Sequence, residues 1–365
     1  MAGVVDADTH VAESFHMWEL LDKGMYPRRP VPVSVPNDTL YGRRNVFWLI
    51  DGNIFPKPAG KGGFPLITPS QQEQESARTD MLVACRELTD PEARLRDMDR
   101  LGVEIQVVYP TLFLIYVTDD VELEIALCRA YNRFMAQACA GTRGRVRWVV
   151  IPPLRSVEQS VEEMRFAKAH GAVGVFFRGI ERDRTLDDPY FFPIYEEASH
   201  LNMPICVHTG AGCPTFTNIF RFERSHTFAP IRILPPIAFR DIVANRIPEL
   251  FPKIRFGFIE AAASWVPYVL HALKRLFGES RGEQGPALFR EKRLFVACEA
   301  DEDIPYLARY IGEENLLIGS DYGHHGDPSN EPQLVATLKA RRDLPDKLLE
   351  KLLYQNAREF YALPS

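Results

Sequence analysis

The sequence predicts an α/β protein built as a (β/α)8 TIM barrel. Eight short apolar runs rich in Val, Ile and Phe recur along the chain, and such continuous runs are typical of parallel strands buried on both faces. Stretches with helical periodicity separate the runs, so strand and helix alternate throughout. A doubly wound open sheet is the alternative, but no glycine-rich dinucleotide motif follows the first run, which weakens it.

The predicted strands are these runs, in chain order: VVDADTH (4–10), EIQVVYP (104–110), RVRWVVIPP (145–153), AVGVFFRG (172–179), PICVHTG (204–210), IRFGFIEA (254–261), RLFVACEA (293–300) and LLIGSDYG (316–323). The helices predicted between and after them are 91–101, 121–140, 157–170, 193–201, 265–276, 304–311 and 345–354. The 365 residues are expected to form one barrel domain, 1–365, because barrels of this class reach that length as a single unit with insertions.

The alternation breaks between residues 18 and 80, where Pro, Gly and polar residues cluster. We interpret 18–80 as an insertion after the first strand, and the Asp51-Gly52 pair between two apolar runs predicts a β-hairpin within it. The carboxyl end of the first strand faces the active-site mouth of a barrel, so the insertion is expected to cap that mouth. A second long loop, 210–233, follows the fifth strand on the same face.

Composition and charge point to a small-molecule partner. A formal net charge of −6 gives no general attraction to nucleic acid or to anionic membranes. The six cysteines include no CxxC pair, which fits reduced thiols and predicts a cytoplasmic protein. No signal-like segment opens the chain, and no window approaches the ~18 consecutive apolar residues of a membrane span.

Ionisable residues stand where several predicted strands end, namely Asp8, His10, His208, Glu260 and Asp321. Side chains two residues apart on a strand share a face, and the carboxyl ends of barrel strands meet at the mouth. Two imidazoles with two or three carboxylates form a donor set suited to zinc, iron or manganese, so we predict one or two divalent ions per chain. The alternatives are a hydrogen-bonded core histidine for His208 and a turn cap for Asp321.

Five segments carry a family resemblance over nearly the whole chain outside the insertion: DADTH, DDPYFFPIYEEASHLNMPICVHTG, FPKIRFGFIEAAASWVP, LLIGSDYGHH and the closing NAREFYAL. With them the chain resembles the amidohydrolase superfamily, in particular the amidohydrolase-related branch that includes the aminocarboxymuconate-semialdehyde decarboxylase type. The resemblance implies metal ligation by Asp8, His10, His208 and Asp321, with zinc as the first expectation. It also leaves a homodimer open.

Two positions depart from the family pattern. The fourth strand offers only Arg178 where the binuclear relatives carry a lysine, so a carbamate-bridged metal pair is not expected. The sixth strand carries Glu260 where the decarboxylase type places a histidine. A glutamate there can accept a proton, bind the metal or bridge a second ion, but the usual proton-handling imidazole is missing.

Hydrolysis is therefore the expected reaction. A metal-activated water would attack an ester, thioester or amide, with Asp321 and Glu260 as the catalytic residues that move its proton. The alternative is non-oxidative decarboxylation of an aromatic or unsaturated carboxylic acid, which the branch resemblance alone supports. A non-catalytic binding protein on the same barrel is a third class, but the retention of four candidate ligands argues against it.

Three further residues are predicted to bind substrate: His226 and His324 in loops at the mouth, and Arg178 at the end of the fourth strand. Each has an alternative. His226 and His324 can equally lie in solvent, and Arg178 can form a buried ion pair with Glu260. Asp6, two residues before the first predicted ligand, is expected to hydrogen-bond structurally rather than to bind metal.

Overall fold

The computed structural model describes residues 3–34, 36, 38, 46–55, 81–217, 219, 230–277, 285–324 and 329–364. The strands within them are β1 (Val4–Val11), β2 (Val31–Ser34), β3 (Val46–Ile50), β4 (Asn53–Phe55), β5 (Val103–Pro110), β6 (Val146–Val150), β7 (Ala172–Phe177), β8 (Ile180–Glu181), β9 (Arg184–Thr185), β10 (Ile205–His208), β11 (Phe256–Ile259), β12 (Leu294–Cys298) and β13 (Leu316–Ile318).

The α-helices span Phe15–Trp18, Val83–Arg86, Pro91–Leu101, Val121–Ala140, Val157–Ala169, Phe192–His200, Pro214–Thr217, Leu234–Ala244, Ile247–Leu250, Val266–Phe277, Gly285–Lys292, Ile304–Ile311, Leu334–Ala340, Asp346–Glu350 and Asn356–Tyr361. A π-helical turn, Lys351–Gln355, joins the last two. Short 3-10 helices occupy Tyr26–Arg28, Leu112–Leu114, Pro189–Phe191 and Pro230–Ile233.

The eight predicted strands form one parallel sheet in the order β1-β5-β6-β7-β10-β11-β12-β13. The sheet closes between its two outer strands. Asp321 N donates a hydrogen bond to Asp8 O over 3.0 Å, and His10 N donates to Tyr322 O over 2.6 Å. The (β/α)8 barrel is therefore confirmed, and the open doubly wound alternative is wrong because its edge strands would not meet.

Burial explains why the strands read as continuous apolar runs. Every residue of β1, β7, β10 and β11 is buried, since barrel strands pack against the interior on one face and against helices on the other. The helices begin at side-chain caps where the sequence offers them. Asp90 accepts from Ala93 N over 3.0 Å, and Asp120 accepts from Leu123 N over the same distance.

The described part of the insertion forms a small antiparallel sheet of β2, β3 and β4. The predicted hairpin is confirmed: Ile50 pairs with Asn53, and both Asp51 and Gly52 have positive φ, as a tight two-residue turn requires. Asp51 accepts a hydrogen bond from the hydroxyl of Thr118 over 2.8 Å, which fastens the hairpin to the segment after β5. That the insertion caps the mouth stays a prediction.

Two further sequence expectations concern thiols and membranes. All six cysteines are buried and none forms a disulfide, as expected of reduced thiols. Among the residues that the structure describes, no helix combines the length and the apolar character needed to cross a bilayer.

Candidate metal centre

Four barrel strands bring buried carboxylates and imidazoles together at the mouth. Ligand atoms within 4.8 Å of one another form two overlapping groups of four: Asp8, His10, His208 and Glu260, and His10, Glu260, Asp321 and His324. β1, β10 and β11 supply the first group, while the second draws on β1, β11 and the turn after β13. The structure thus gathers every residue that the strand-end pattern selected.

His10 lies at the centre of the cluster. Its Nε2 atom is 3.3 Å from Asp321 Oδ1, 3.5 Å from Asp8 Oδ1 and 3.6 Å from Glu260 Oε2. His208 Nε2 approaches the same carboxylates from β10, at 3.0 Å from Glu260 Oε2 and 3.4 Å from Asp8 Oδ1. Three acidic side chains therefore point at two imidazole nitrogens in a volume closed to solvent.

Backbone carbonyls orient both rings. His10 Nδ1 donates to Pro110 O over 2.8 Å, and His208 Nδ1 donates to Thr209 O over 2.8 Å. Because each Nδ1 carries the proton, each Nε2 offers its lone pair to the cluster when the ring is neutral. A carbonyl on one ring nitrogen and a free lone pair on the other is the usual arrangement of metal-ligating histidines.

Two of the carboxylates stand on strained backbone. Glu260 has φ of 54° and Asp321 has φ of 55°, each in the left-handed region that residues with a Cβ seldom adopt. Glu260 follows directly on the end of β11, and Asp321 stands three residues after the end of β13. Such conformations cost of order 1–3 kcal/mol and persist where the surrounding structure enforces them, often at functional sites.

The electrostatics show a surplus of negative charge. Burial works against the charged form of His10, yet the neighbouring carboxylates of Asp8, Glu260 and Asp321 raise its pKa well above the ordinary value. Burial likewise acts to raise the pKa of Asp8, but the imidazoles of His208 and His10 hold it well below its usual range. A divalent cation would supply the positive charge that this pocket attracts.

The residues present fit such a cation. His10 Nε2 and Glu260 Oε2 are buried and make no hydrogen bond among the described residues. Within the described residues, Asp8 and Glu260 form ion pairs with His10 and His208, and neither carboxylate pairs with a lysine or an arginine. Imidazole nitrogens with carboxylate oxygens are the donors that zinc, manganese and iron accept.

His324 is buried beside the cluster, so its predicted alternative of lying in solvent is wrong. Its Nδ1 atom is 2.7 Å from Asp321 Oδ1, its Nε2 atom is 2.9 Å from Thr111 Oγ1, and its ring stacks on that of His10 with centroids 3.8 Å apart. Burial, followed by the positive charge of His10, lowers the pKa of His324 well below its ordinary value. Its role in binding substrate stays a prediction.

Asp6 makes the structural contacts expected of it. Ser320 N donates to Asp6 Oδ1 over 2.9 Å, and the hydroxyl of Ser320 donates to Asp6 Oδ2 over 2.5 Å. Burial raises the pKa of Asp6 to about 7. The carboxylate therefore ties β1 to the segment after β13, which helps to close the barrel beneath the cluster of carboxylates and imidazoles.

Arg178 does not pair with Glu260, so that alternative is wrong. Its guanidinium binds Glu181, with Nη2 at 2.5 Å from Oε2, and its Nη1 donates to Ile115 O over 2.8 Å. Glu181 follows only three residues later, across the turn into β8, and therefore reaches the guanidinium first. Arg178 also lines an open cleft of about 430 Å³ on this side of the mouth. Substrate binding by Arg178 stays a prediction.

Three polar residues near the cluster were missed from the sequence. Ser329 contacts both Glu260 and Asp321, and Asn330 donates to the carbonyls that follow β13. Glu13 accepts from the backbone N–H of residues 111 and 112, and burial raises its pKa to about 7. Ser329 and Asn330 lie in a loop with no pattern to select them, whereas Glu13 follows the DADTH motif closely enough to have been considered. His226, which was predicted to bind substrate, lies outside the described residues.

Comparison with known families now identifies the fold. The Amidohydrolase family model matches residues 5–363. The chain belongs to that family. A solved amidohydrolase of Mycobacterium avium subsp. paratuberculosis aligns with a TM-score of 0.75 over 99% of each chain at 19% identity. The 5-carboxyvanillate decarboxylase of Novosphingobium aromaticivorans, solved with manganese and 4-hydroxy-3-methoxy-5-nitrobenzoic acid, aligns with a TM-score of 0.68 over 99% of this chain and 96% of that one at 17% identity.

A sequence relative carries the name 2-amino-3-carboxymuconate-6-semialdehyde decarboxylase, from Dictyostelium discoideum. It is 22% identical over 288 residues, which cover 75% of this chain and 77% of the relative. This chain is thus an enzyme of the amidohydrolase superfamily with a residue cluster suited to a divalent metal. The expectation of hydrolysis is wrong, because the relatives and neighbours with a named reaction are decarboxylases; they favour the alternative given beside it.

Proposed function

We propose that this amidohydrolase-family enzyme is a metal-dependent, non-oxidative decarboxylase of an aromatic or unsaturated carboxylic acid. The observation that carries the proposal is the closed cluster in which Asp8, Glu260 and Asp321 face His10 and His208 at the barrel mouth. A site with this surplus of acidic groups attracts a cation, and a bound cation makes the pocket receptive to an anionic carboxylate.

The proposed metal ligands are Asp8, His10, His208 and Asp321. When bound, the metal supplies Lewis acidity that neutralises the substrate carboxylate and a neighbouring oxygen atom. We propose one ion per chain, because both four-residue groups require His10 and this ring has a single nitrogen left for coordination, with Nδ1 already held by Pro110. Manganese, zinc and iron all suit these donors.

Glu260 is the proposed proton donor. Its Oε2 atom lies 3.0 Å from His208 Nε2 and faces the interior of the cluster, where the family resemblance places a histidine in the decarboxylase type. The bond between the ring or alkene carbon and the carboxyl carbon breaks, its electron pair stays on the carbon, and the Glu260 carboxyl delivers the proton that replaces carbon dioxide. Glu260 then recovers a proton from water.

Exclusion of water favours this chemistry. Asp8, His10, His208 and Asp321 are all buried, and the aromatic rings of Tyr109 and Phe176 lie beside His208 at centroid distances of 4.9 and 6.1 Å. As the bond breaks, negative charge moves from the substrate carboxylate onto the carbon that keeps the electron pair, and neutral carbon dioxide is left. An environment that hydrates the carboxylate poorly assists that change.

The remaining partner proposals concern the whole chain. The absence of disulfides among the buried cysteines supports residence in the cytoplasm, and the chain's acidic net charge supports a small-molecule substrate. A homodimer is proposed from the family resemblance alone.

Product analysis tests the proposal. The manganese-loaded protein is incubated in deuterium oxide with a panel of ortho-hydroxybenzoates and unsaturated dicarboxylates, and carbon dioxide is measured together with deuterium at the vacated carbon. We expect equimolar carbon dioxide and one deuterium per product. Failure to release carbon dioxide from every acid, with hydrolysis of an ester or amide panel instead, would contradict decarboxylation.

A further inference from the structure

A single serine hydroxyl joins the two strained carboxylates of the cluster. Ser329 Oγ lies 3.1 Å from Glu260 Oε1 and 3.3 Å from Asp321 Oδ2. Glu260 follows β11 and Asp321 follows β13, so the contact spans two separate strands of the barrel. One hydroxyl proton shared between two acceptors makes a three-centre hydrogen bond, which restrains both side chains together.

The contact sorts the four carboxylate oxygen atoms into two sets. Glu260 Oε1 and Asp321 Oδ2 face Ser329, whereas Glu260 Oε2 and Asp321 Oδ1 face His10 Nε2 at 3.6 and 3.3 Å. The positive φ of both acidic residues fixes the backbone, but it leaves the side-chain torsions free to rotate. Ser329 supplies the restraint that the backbone cannot give.

Asn330 anchors the serine to the same turn. Its side-chain amide donates to Asp321 O and to His324 O, each over 3.2 Å. These two hydrogen bonds fix the backbone that carries Ser329. The position of its hydroxyl therefore does not depend on the side-chain conformations of Glu260 and Asp321. This anchoring makes Ser329 able to direct Glu260 and Asp321.

We propose that Ser329 is the positioning residue that makes Glu260 and Asp321 each present one oxygen atom to the metal and substrate. Asp321 then acts as a ligand through Oδ1, and Glu260 keeps Oε2 directed at the reacting carbon. The kinetic part of this inference depends on the proposed decarboxylation, whereas the ligand-geometry part does not.

The test compares Ser329→Ala and Ser329→Thr with a matched control, Ser160→Ala, which removes a buried hydroxyl that donates to Pro153 O in the loop after β6. Each protein is loaded with cobalt(II), and its visible absorption spectrum is recorded together with kcat and KM per metal-loaded chain. We expect Ser329→Ala to alter the spectrum and to lower kcat about 10- to 100-fold, the usual cost of losing a group that orients a ligand. KM should change less than about threefold, because no contact with substrate is lost.

Ser329→Thr retains the hydroxyl, so it should keep the wild-type spectrum and bring kcat back to within about threefold of wild type. Ser160→Ala should match wild type in every measurement. The proposal is overturned if metal-loaded Ser329→Ala has the wild-type spectrum and kcat, even with a lowered melting temperature, since that pattern describes a purely structural serine.

Two safeguards keep the result decisive. If Ser329→Ala does not fold, Ser329→Thr and Ser329→Val form the comparison, because threonine and valine have nearly the same shape and differ in the hydroxyl. Identical cobalt spectra for that pair overturn the proposal. If no acid is decarboxylated by any variant, the proposed reaction fails, while the cobalt spectra still decide whether Ser329 orients the ligands.

Discussion

The two sides of the barrel mouth hold buried carboxylates in opposite electrostatic settings. On the side of β1, β10 and β11, Asp8 and Glu260 face the imidazoles of His10 and His208. Within the described residues, neither carboxylate has a lysine or arginine at ion-pair distance. Their neighbours are rings whose charge depends on a proton.

On the side of β6 and β7, the buried Glu181 and the partly buried Glu124 each have a guanidinium partner. Glu181 binds Arg178, and Glu124 binds Arg155, which also donates to the carbonyl of Thr118 over 3.1 Å. Arginine keeps its charge at every accessible pH, so these pairs are complete within the protein. The four side chains line the 430 Å³ cleft. Because each carboxylate is already neutralised by a guanidinium, they attract a further cation only weakly.

The difference shows how one mouth can combine rigidity with reactivity. A guanidinium keeps its proton and has no lone pair for a metal, whereas an imidazole that loses its proton turns from a charge partner into a metal ligand. Histidine opposite carboxylate thus marks the side prepared for a cation. Substitutions on each side of the mouth, together with the pH dependence of metal binding, test this contrast.

His208→Ala removes one imidazole of the histidine side. Loss of a ligand that positions the cation should reduce kcat/KM by about a thousandfold or more, since metal polarisation contributes several kcal/mol to catalysis. Metal content after dialysis, measured by elemental analysis, should fall in parallel. His271→Ala on the exposed surface of helix Val266–Phe277 is the control; a His208→Ala enzyme with control-level metal and activity would refute the ligand assignment.

Glu260→Gln keeps the shape of the side chain but removes its acidic proton. Loss of the proposed proton donor should lower kcat about 10²- to 10⁴-fold, the range of general acid catalysis, with a much smaller change in KM. Steady-state kinetics beside Glu158→Gln, an exposed glutamate on helix Val157–Ala169, measure the effect. A turnover number equal to that of the control would make Glu260 structural.

Glu181→Gln breaks a completed pair on the arginine side. Because it leaves the largely buried charge of Arg178 without its carboxylate partner, the free energy of unfolding should fall by about 3 kcal/mol. Chemical denaturation measures the loss, and Asp343→Asn at the more exposed Arg341 pair should cost less than about 1 kcal/mol. Metal content should not change. A loss of metal comparable to that of His208→Ala would erase the contrast between the two sides.

The pH dependence of metal binding also distinguishes the histidine side of the mouth from the arginine side, because only histidine changes its charge near neutral pH. The pKa of His10 is raised well above its ordinary value, so at neutral pH the ring must release a proton before its Nε2 can bind a cation. Apparent affinity should therefore rise with pH, by about tenfold per unit while one proton is displaced, and level off above the pKa. Competition with a metal indicator from pH 6 to 9 measures the slope, and a flat profile would contradict a protonated His10.

Much of the fold was predictable because a parallel barrel leaves a strong signal in sequence. The helices 91–101, 121–140 and 304–311 have the predicted bounds, and all eight strands were located from apolar runs. Helix Leu234–Ala244 was missed because Pro235 and Pro236 resemble the end of a loop. Proline is tolerated in the first turn of a helix, where no N–H partner is needed, so the same residues begin the helix instead.

The site was predictable where it depends on strand ends and not where it depends on loops. Asp8 and His10 follow from strand alternation, and Glu260 and Asp321 from their place after β11 and β13. Ser329 follows Asp321 by eight residues in a segment without periodicity, and only the three-dimensional arrangement brings its hydroxyl to both carboxylates.

Anomalous diffraction from crystals grown with manganese tests most directly which side of the mouth holds the cation. We expect one strong peak per chain at about 2.0–2.3 Å from oxygen or nitrogen atoms of Asp8, His10 and His208. Absence of a peak there, or a peak beside Glu124 and Glu181, would contradict the claim that carboxylates opposed by histidine form the metal centre.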